Sequence, residues 1–244
     1  MRDHLLDLVE HTYDLGCIDL VKITGDDKTT VIDGLAEDRS VVVQASFKQP
    51  VTEFVGTFGM PNLSKLKVLL GLEPYKQDAK ISINKQERNG SEVPVGLNFE
   101  NNAGDFKNNY RFMTSEIIEE KLKVVKFKGV DWNIEFEPTI AGVQRLKYQA
   151  LANAEELTFN AMSDGSDLKL EFGDHSTHAG NFVFQPAVGG TGLARAWAWP
   201  VKQFISILDL TGDKTIKMSD DGAAEITVDS GVAVYNYILP AQSK

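Results

Sequence analysis

Val130-Asp131-Trp132-Asn133-Ile134-Glu135-Phe136-Glu137 alternates apolar and polar residues. It then runs through Pro138-Thr139 into a stretch whose apolar positions are Ile140, Val143, Leu146 and Ala150. The first eight residues carry the period of two expected of a strand with one buried and one wet face. The next stretch has the three-to-four spacing of a helix, with proline just before its first turn. A strand feeding a short helix is therefore the element from which the rest of the chain can be read.

The same helical spacing recurs three times. A first helix from about Asp3 to Asp14 places Leu5, Leu8, Val9 and Thr12 on one face, leaving Asp3, His4, Asp7, Glu10 and His11 on an acidic wet face. A second begins at Pro61, gathers Leu63, Leu66, Leu69 and Leu70, and stops at Gly71. A fourth begins at Pro200, gathers Val201, Phe204, Ile207 and Leu208, and stops near Gly212. Between the helices lie strands such as Leu168-Lys169-Leu170-Glu171-Phe172 and Ala224-Glu225-Ile226-Thr227-Val228-Asp229. Val232 to Leu239 is apolar at nearly every position, which predicts a central strand or one whose outer face meets a partner. Turn chemistry separates the strands at Gly25-Asp26-Asp27, Arg88-Asn89-Gly90, Ser163 to Asp167 and Ser219 to Gly222. None of these turns has the twelve-residue ligand frame of a calcium loop, so they read as hairpin turns.

Helix starts near residues 3, 62, 140 and 201 are separated by roughly 59, 78 and 61 residues, a self-similar spacing. The longer middle gap predicts two domains of one plan, 1–114 and 130–244, joined by a Lys- and Glu-rich connector at 115–129. The fold class is α+β, built from duplicated helix-plus-antiparallel-sheet units.

Composition narrows the function. The 244 residues are 42% hydrophobic and 25% charged, an ordinary globular balance. No apolar run approaches the roughly 18 residues that span a bilayer, and Met1-Arg2-Asp3-His4 opens no secretory signal. Cys17 is the only cysteine, which excludes an internal disulfide and suits a reducing, intracellular setting. A net charge of −10 argues against close phosphate gripping, but not against a protein that surrounds DNA with a local positive lining.

Catalytic signatures are lacking. His175-Ser176-Thr177-His178 beside Asp174 has no further histidine or cysteine cluster and reads as a polar loop. Val188-Gly189-Gly190-Thr191-Gly192 lacks the Gly-Lys-Ser/Thr of a phosphate loop. No nucleophile motif appears. The expectation is a protein that is not an enzyme and carries no cofactor or metal.

The order of segments resembles the T4-type bacteriophage DNA sliding clamp, and in plan the eukaryotic and archaeal proliferating cell nuclear antigen family. Val51-Thr52-Glu53-Phe54-Val55-Gly56 leads into the second helix and then Ala79-Lys80-Ile81-Ser82-Ile83. Ile134-Glu135-Phe136 leads into the third and then Leu157-Thr158-Phe159. Trp197-Ala198-Trp199 leads into the fourth and then Lys214-Thr215-Ile216-Lys217-Met218. The closing Tyr235-Asn236-Tyr237-Ile238-Leu239-Pro240-Ala241 is similar to the family's final strand and tail. The resemblance implies two clamp domains per subunit and a ring-forming homotrimer with helices around a central hole. It implies a processivity factor that encircles duplex DNA and tethers a DNA polymerase, with a clamp loader as further partner, in the cytoplasm of an infected bacterium. Lys65, Lys67, Arg145 and Lys202 would then face DNA. A partner-peptide pocket would combine Leu122, Val124, Val125 and Phe127 of the connector with Tyr237, Ile238, Leu239 and Pro240 of the tail. Phe106 to Met113 and Phe182 to Phe184 are candidate edge segments for ring closure. The alternative is an assembly protein of duplicated β-rich domains with no DNA in it. A carbohydrate-binding domain using Trp132, Trp197 and Trp199 is weaker, because these tryptophans alternate with core positions.

Overall fold

The computed structural model describes residues 1–242 apart from 89, 124–126, 128, 175 and 177. The chain forms two compact units, Met1–Val125 with Ser230–Tyr235, and Lys126–Asp229 with Asn236–Lys244.

The first unit opens with helix α1 (Arg2–Glu10) and a 3-10 turn at Tyr13–Leu15. Strands β1 (Leu20–Gly25), β2 (Thr30–Leu35) and β3 (Val42–Phe47) follow as an antiparallel meander. β4 (Gly56–Pro61) returns to pair with β1, placing Leu20 opposite Pro61 and Gly25 opposite Gly56. Helix α2 (Leu63–Gly71) and a 3-10 turn at Glu73–Tyr75 lead to a second meander, β5 (Lys80–Arg88), β6 (Ser91–Glu100) and β7 (Lys107–Arg111). Helix α3 (Ser115–Lys121) ends this stretch.

The second unit repeats the plan. After the short strand β8 (Ile134–Phe136) come α4 (Ile140–Ala152) and the meander β9 (Thr158–Ser163), β10 (Leu168–Gly173) and β11 (Ala179–Gln185). β12 (Leu193–Pro200) returns to pair with β9, as β4 does with β1. Then come α5 (Val201–Leu208), β13 (Asp213–Ser219), β14 (Ala223–Asp229) and β15 (Ala233–Pro240), with β8 beside β13. The first residues of β15 group with the first unit and its last with the second. β15 has neighbours on both sides in the strand order, β3 and β14, as its nearly continuous apolar sequence predicts.

The sequence dictates these elements locally. β2 buries every second residue, the pattern of a sheet with one wet face. The β1–β2 turn is closed by Asp26, whose carboxylate accepts the N–H groups of Lys28 and Thr29 at 2.8 and 2.7 Å. Those bonds hold its carboxyl below the usual range. Asp164 and Ser166 close the β9–β10 turn similarly. Leu5 and Leu8 of α1 are fully buried, each contributing about 1.5–3 kcal/mol. In β7, the Tyr110 hydroxyl donates to the carbonyl of Pro61 at 2.5 Å, tying the second meander to the entry of α2. Burial, with Asp19 adding, pushes that phenol up.

Several elements differ from the sequence-based expectation. The expected strand Val51–Gly56 is a turn, in which Phe54 N donates to Val51 O; β4 begins only at Gly56. The eight-residue strand expected at 130–137 contracts to Ile134–Phe136. The carbonyl of Asp131 accepts from Ser219, and Asn133 binds Asp220 and Thr191. α1 stops at Glu10 rather than Asp14. α3 is a fifth helix within the expected connector, held by one buried side chain, Ile118. On α4, Ile140 is 90% exposed rather than buried, and the inner face carries Gly142 and Leu146. The helix approaches β11 so closely that a Cβ on Gly142 would lie 2.4 Å from the carbonyl oxygen of Phe184, which fixes its rotation.

Asp7 and His11 also leave the expected wet face of α1. Both are buried, with the Tyr235 hydroxyl donating to Asp7 Oδ2 at 2.7 Å and the His11 ring stacked on Tyr235 at 4.6 Å. Tyr235→Phe removes that donor while keeping the ring, so it should destabilise the protein by about 1–3 kcal/mol. Urea unfolding of the two proteins checks this, and an unchanged midpoint would contradict the role given to the bond.

Candidate functional site

Each unit presents a pair of packed helices, and the links between them use cations. In the first unit, Arg2 of α1 donates to the carbonyl of Leu70 at 2.6 Å and to that of Tyr75 at 3.2 Å. The last carbonyls of a helix have no partner within it, so an arginine there ties α1 to the end of α2. In the second unit Lys147 of α4 forms an ion pair with Asp209, immediately after α5. Neither residue is marked by its local sequence. Their partners lie 62 or more positions away, and only the fold brings them together.

The four cations expected to face DNA divide evenly. Lys65 of α2 and Lys202 of α5 are exposed and have no ion pair among the described residues. Lys67 is committed to Asp14 at 2.7 Å and lies 5.8 Å from the centre of the Tyr13 ring. Arg145 donates to the carbonyls of Val183 and Phe184 at 3.1 and 3.4 Å, beside the bulge where β11 slips against β10. Helical position identifies a wet face, but not the neighbour waiting there.

The outward face of α4 is apolar instead. Tyr148 and Leu151 are 64% and 78% exposed, on the same face as Ile140. This helix stands against β11, an outer strand of the sheet β11-β10-β9-β12. In the first unit β7 is an outer strand of β5-β6-β7, with Phe106 before it and Val68 exposed on α2. Of the candidate edge segments, Phe106 to Met113 contains the edge strand β7 and Phe182 to Phe184 lies within the edge strand β11.

The residues expected to form a partner pocket are mostly interior. Tyr237, Ile238 and Leu239 are buried in β15, Leu122 is buried beside α3, and only Pro240 is exposed. Phe127 is half-buried with its ring 6.0 Å from that of Trp132. Val124 and Val125 lie outside the described residues. A concavity lies wholly within the first unit. It is an open groove of about 1040 Å³ between the α1–β1 link, the β2–β3 turn and the end of α3. Among the described residues no three His, Cys, Asp or Glu side chains gather as metal ligands, and no helix is long and apolar enough to cross a membrane. His175 and Thr177 of the histidine-bearing loop lie outside the described residues.

No family model matches the sequence, and no curated protein matches it. Solved structures do match over nearly the full chain. Proliferating cell nuclear antigen (PCNA) from Thermococcus kodakaraensis is 10% identical, with a TM-score of 0.68, covering 99% of this chain and 97% of its own. A. fulgidus PCNA, bound to the C-terminal region of FEN-1, is 11% identical, with a TM-score of 0.66 over 98% and 96%. The proliferating cellular nuclear antigen of Entamoeba histolytica is 10% identical, with a TM-score of 0.66 over 99% and 94%. The chain has the DNA-clamp fold, two repeated domains of helix and antiparallel sheet.

His4 gives this helix surface a measurable signature. Its Nδ1 is buried without a hydrogen-bond partner, and its ring meets Phe47 edge-on at 5.0 Å. Burial lowers its pKa from the ordinary 6.5; the terminal amine adds to this, and Asp3, Asp7 and Glu53 oppose it. The unfolded chain therefore takes up the proton first. The stability linked to His4 is present above about pH 6.5 and is lost as pH falls through the folded-state value. Unfolding midpoints should decline across that window, and His4→Gln should flatten the decline; an equal slope in the variant would contradict it.

Proposed function

We propose that this protein is a sliding clamp of the bacteriophage kind. Three copies close around duplex DNA and tether a replicative polymerase in the cytoplasm of an infected bacterium. The observation that carries the reading is the likeness to PCNA over both units, at 99% and 97% coverage. It acts without catalysis, as a topological link, so it needs no cofactor or metal. A loader to open the ring and a polymerase to ride on it are the implied partners, as A. fulgidus PCNA holds the C-terminal region of FEN-1.

Ring closure joins two unlike surfaces head to tail. The stripe Ile140, Tyr148 and Leu151 beside β11 supplies one; Val68 and Phe106 beside β7 supply the other. Continuing a sheet across such edges uses main-chain groups that a solitary edge leaves open. Light scattering should then give a mass of about 81 kDa, three times the 26.9 kDa chain. The double variant Tyr148→Glu, Leu151→Glu should run as a monomer. A strict monomer for the unaltered protein at high concentration removes the ring.

DNA contact in this reading is sparse. Lys65 and Lys202 are the two of the four candidate cations with no ion pair among the described residues, so three copies offer about six phosphate contacts and a salt slope near −5. Replacing both with Ala should bring the slope of log K against log salt towards zero. An unchanged slope in that variant would place the DNA-facing charge elsewhere. The assembly-protein alternative draws on the net charge of −10 and the apolar face of α4; it predicts no salt-dependent association at all.

A further inference from the structure

The two units share one plan, and one strand of that plan has no counterpart. In the second unit β13, β14 and β15 follow α5, and β8 lies along the outer side of β13. In the first unit β5, β6 and β7 follow α2 in the same way. There β5 is the outer strand of its sheet, and among the described residues nothing pairs with it on that side. The two hairpins match at their inner faces. Ile216 and Met218 of β13 lie opposite Ile226 and Ala224, as Ile81 and Ile83 of β5 lie opposite Phe99 and Leu97. All four opposing residues are fully buried. Ile216 and Met218 are fully buried too, flanked on their other side by Phe136 and Ile134 of β8. Ile81 and Ile83 have no such flank and stay partly exposed.

An outer strand turns alternate main-chain N–H and C=O groups away from its sheet, and such an edge can take an added strand. The bulge between Asn84 and Lys85 ends the regular stretch, so the usable edge runs from Lys80 to Asn84. That exceeds the three residue pairs that join β8 to β13. Side chains set the pattern of the missing strand. Ile81 and Ile83 call for apolar residues at alternate positions, the places Phe136 and Ile134 take beside β13. On the wet side Lys80 is exposed, with no hydrogen bond or ion pair among the described residues. Glu100, opposite it, is engaged by Lys107 at 3.2 Å. An acidic residue set opposite Ser82 would lie diagonal to Lys80, within reach of a long side chain. β8 carries Glu135 at the matching place, opposite Lys217.

We propose that the free edge of β5 takes up an extended segment of a partner protein as an antiparallel fourth strand, reading apolar–acidic–apolar against Ile81, Ser82 and Ile83. A second copy does not supply it: the chain's own strands of this pattern, β8 and Leu170-Glu171-Phe172 of β10, are already paired in their own sheets. The proposal goes beyond the clamp reading and does not need it. Ring closure through β7 and β11 leaves β5 uncovered, so the edge is open in ring and monomer alike.

The probe is a fluorescein-labelled synthetic peptide carrying Ile-Glu-Phe between Gly-Ser flanks, added to the full chain. Binding should slow hydrogen exchange of the amides from Lys80 to Asn84 and leave those of β11 unchanged. Peptides N-methylated at alternate main-chain nitrogens separate strand addition from loose apolar contact: one alternate set should abolish binding and the other retain it. Lys80→Glu should weaken the peptide about fivefold and strengthen its Ile-Lys-Phe form by a similar factor. A variant with the sequence of residues 134–139 in place of Met1 should fill the edge itself and no longer bind the peptide, since Met1 caps α1 where Thr139 caps α4. Equal binding of both methylated peptides, protection that falls outside β5, or undiminished binding to that variant would overturn the proposal. Protection of β5 that rises with protein concentration alone would also overturn it, by making a second copy the occupant. A monomer that binds the peptide would retain the edge and remove the ring; a ring that binds no peptide would do the reverse.

Discussion

The hydrogen bond from Tyr235 to Asp7 joins residues 228 positions apart, and the first unit depends on it. A carboxyl group buried with so little exposure is stable only when its oxygens have hydrogen-bond partners. Here the Tyr235 hydroxyl of the last strand donates to Asp7 Oδ2, while His11 Nδ1 lies 2.9 Å from the main-chain carbonyl of Asp7 and 3.5 Å from its Oδ1. The main chain reinforces the join, because Lys48 N, just after β3, donates to Val232 O at 2.9 Å. The first unit therefore cannot complete its core until the end of the chain is in place. Long-range closure of this kind couples the termini and slows folding relative to local contacts.

The same join alters the charge pattern on α1, and separate contacts alter it on the other helices. The acidic face expected of α1 shrinks to Asp3 and Glu10 once Asp7 is drawn inward, while Arg2, Lys67, Arg145 and Lys147 are all held by partners within the chain. Few charges on these surfaces are left for a ligand. In the proposed clamp such a surface suits sliding, since tight phosphate contacts at every step would hold the protein in place on the duplex. The apolar face of α4 fits the same proposal, because a ring needs surfaces that prefer another copy to water.

Much of this fold is legible in the sequence where large apolar residues do the packing. α1, α2 and α5 bury the leucines, valine and phenylalanine that their spacing predicts, and the strand–helix–meander plan recurs where the helix starts place it. α4 departs from its apolar pattern at Ile140 for a definite reason. Its inner face carries Gly142, Leu146 and Asn153, so close approach to β11 outweighs the apolar pattern that Ile140 advertises. α3 is not legible in the sequence, because seven residues with one buried side chain carry too little periodicity. The candidate site is less legible still. Helical spacing places Lys67 and Arg145 on wet faces, but Asp14 and the β11 carbonyls that capture them are set by tertiary structure alone. The apolar tail residues Tyr237 to Leu239 could fill either a core or a pocket, and only the sheet decides that they fill the core.

Encirclement is the claim on which the functional account stands, and retention on DNA of defined topology tests it most directly. Labelled protein would be threaded onto linear duplex with free ends, the ends then blocked with bulky protein, and the complex washed at high salt. A clamp should remain on the blocked duplex through the wash and leave promptly when a nuclease cuts it open. Equal loss from blocked and cut DNA would mean that the protein holds DNA by contact or not at all, and would contradict the account.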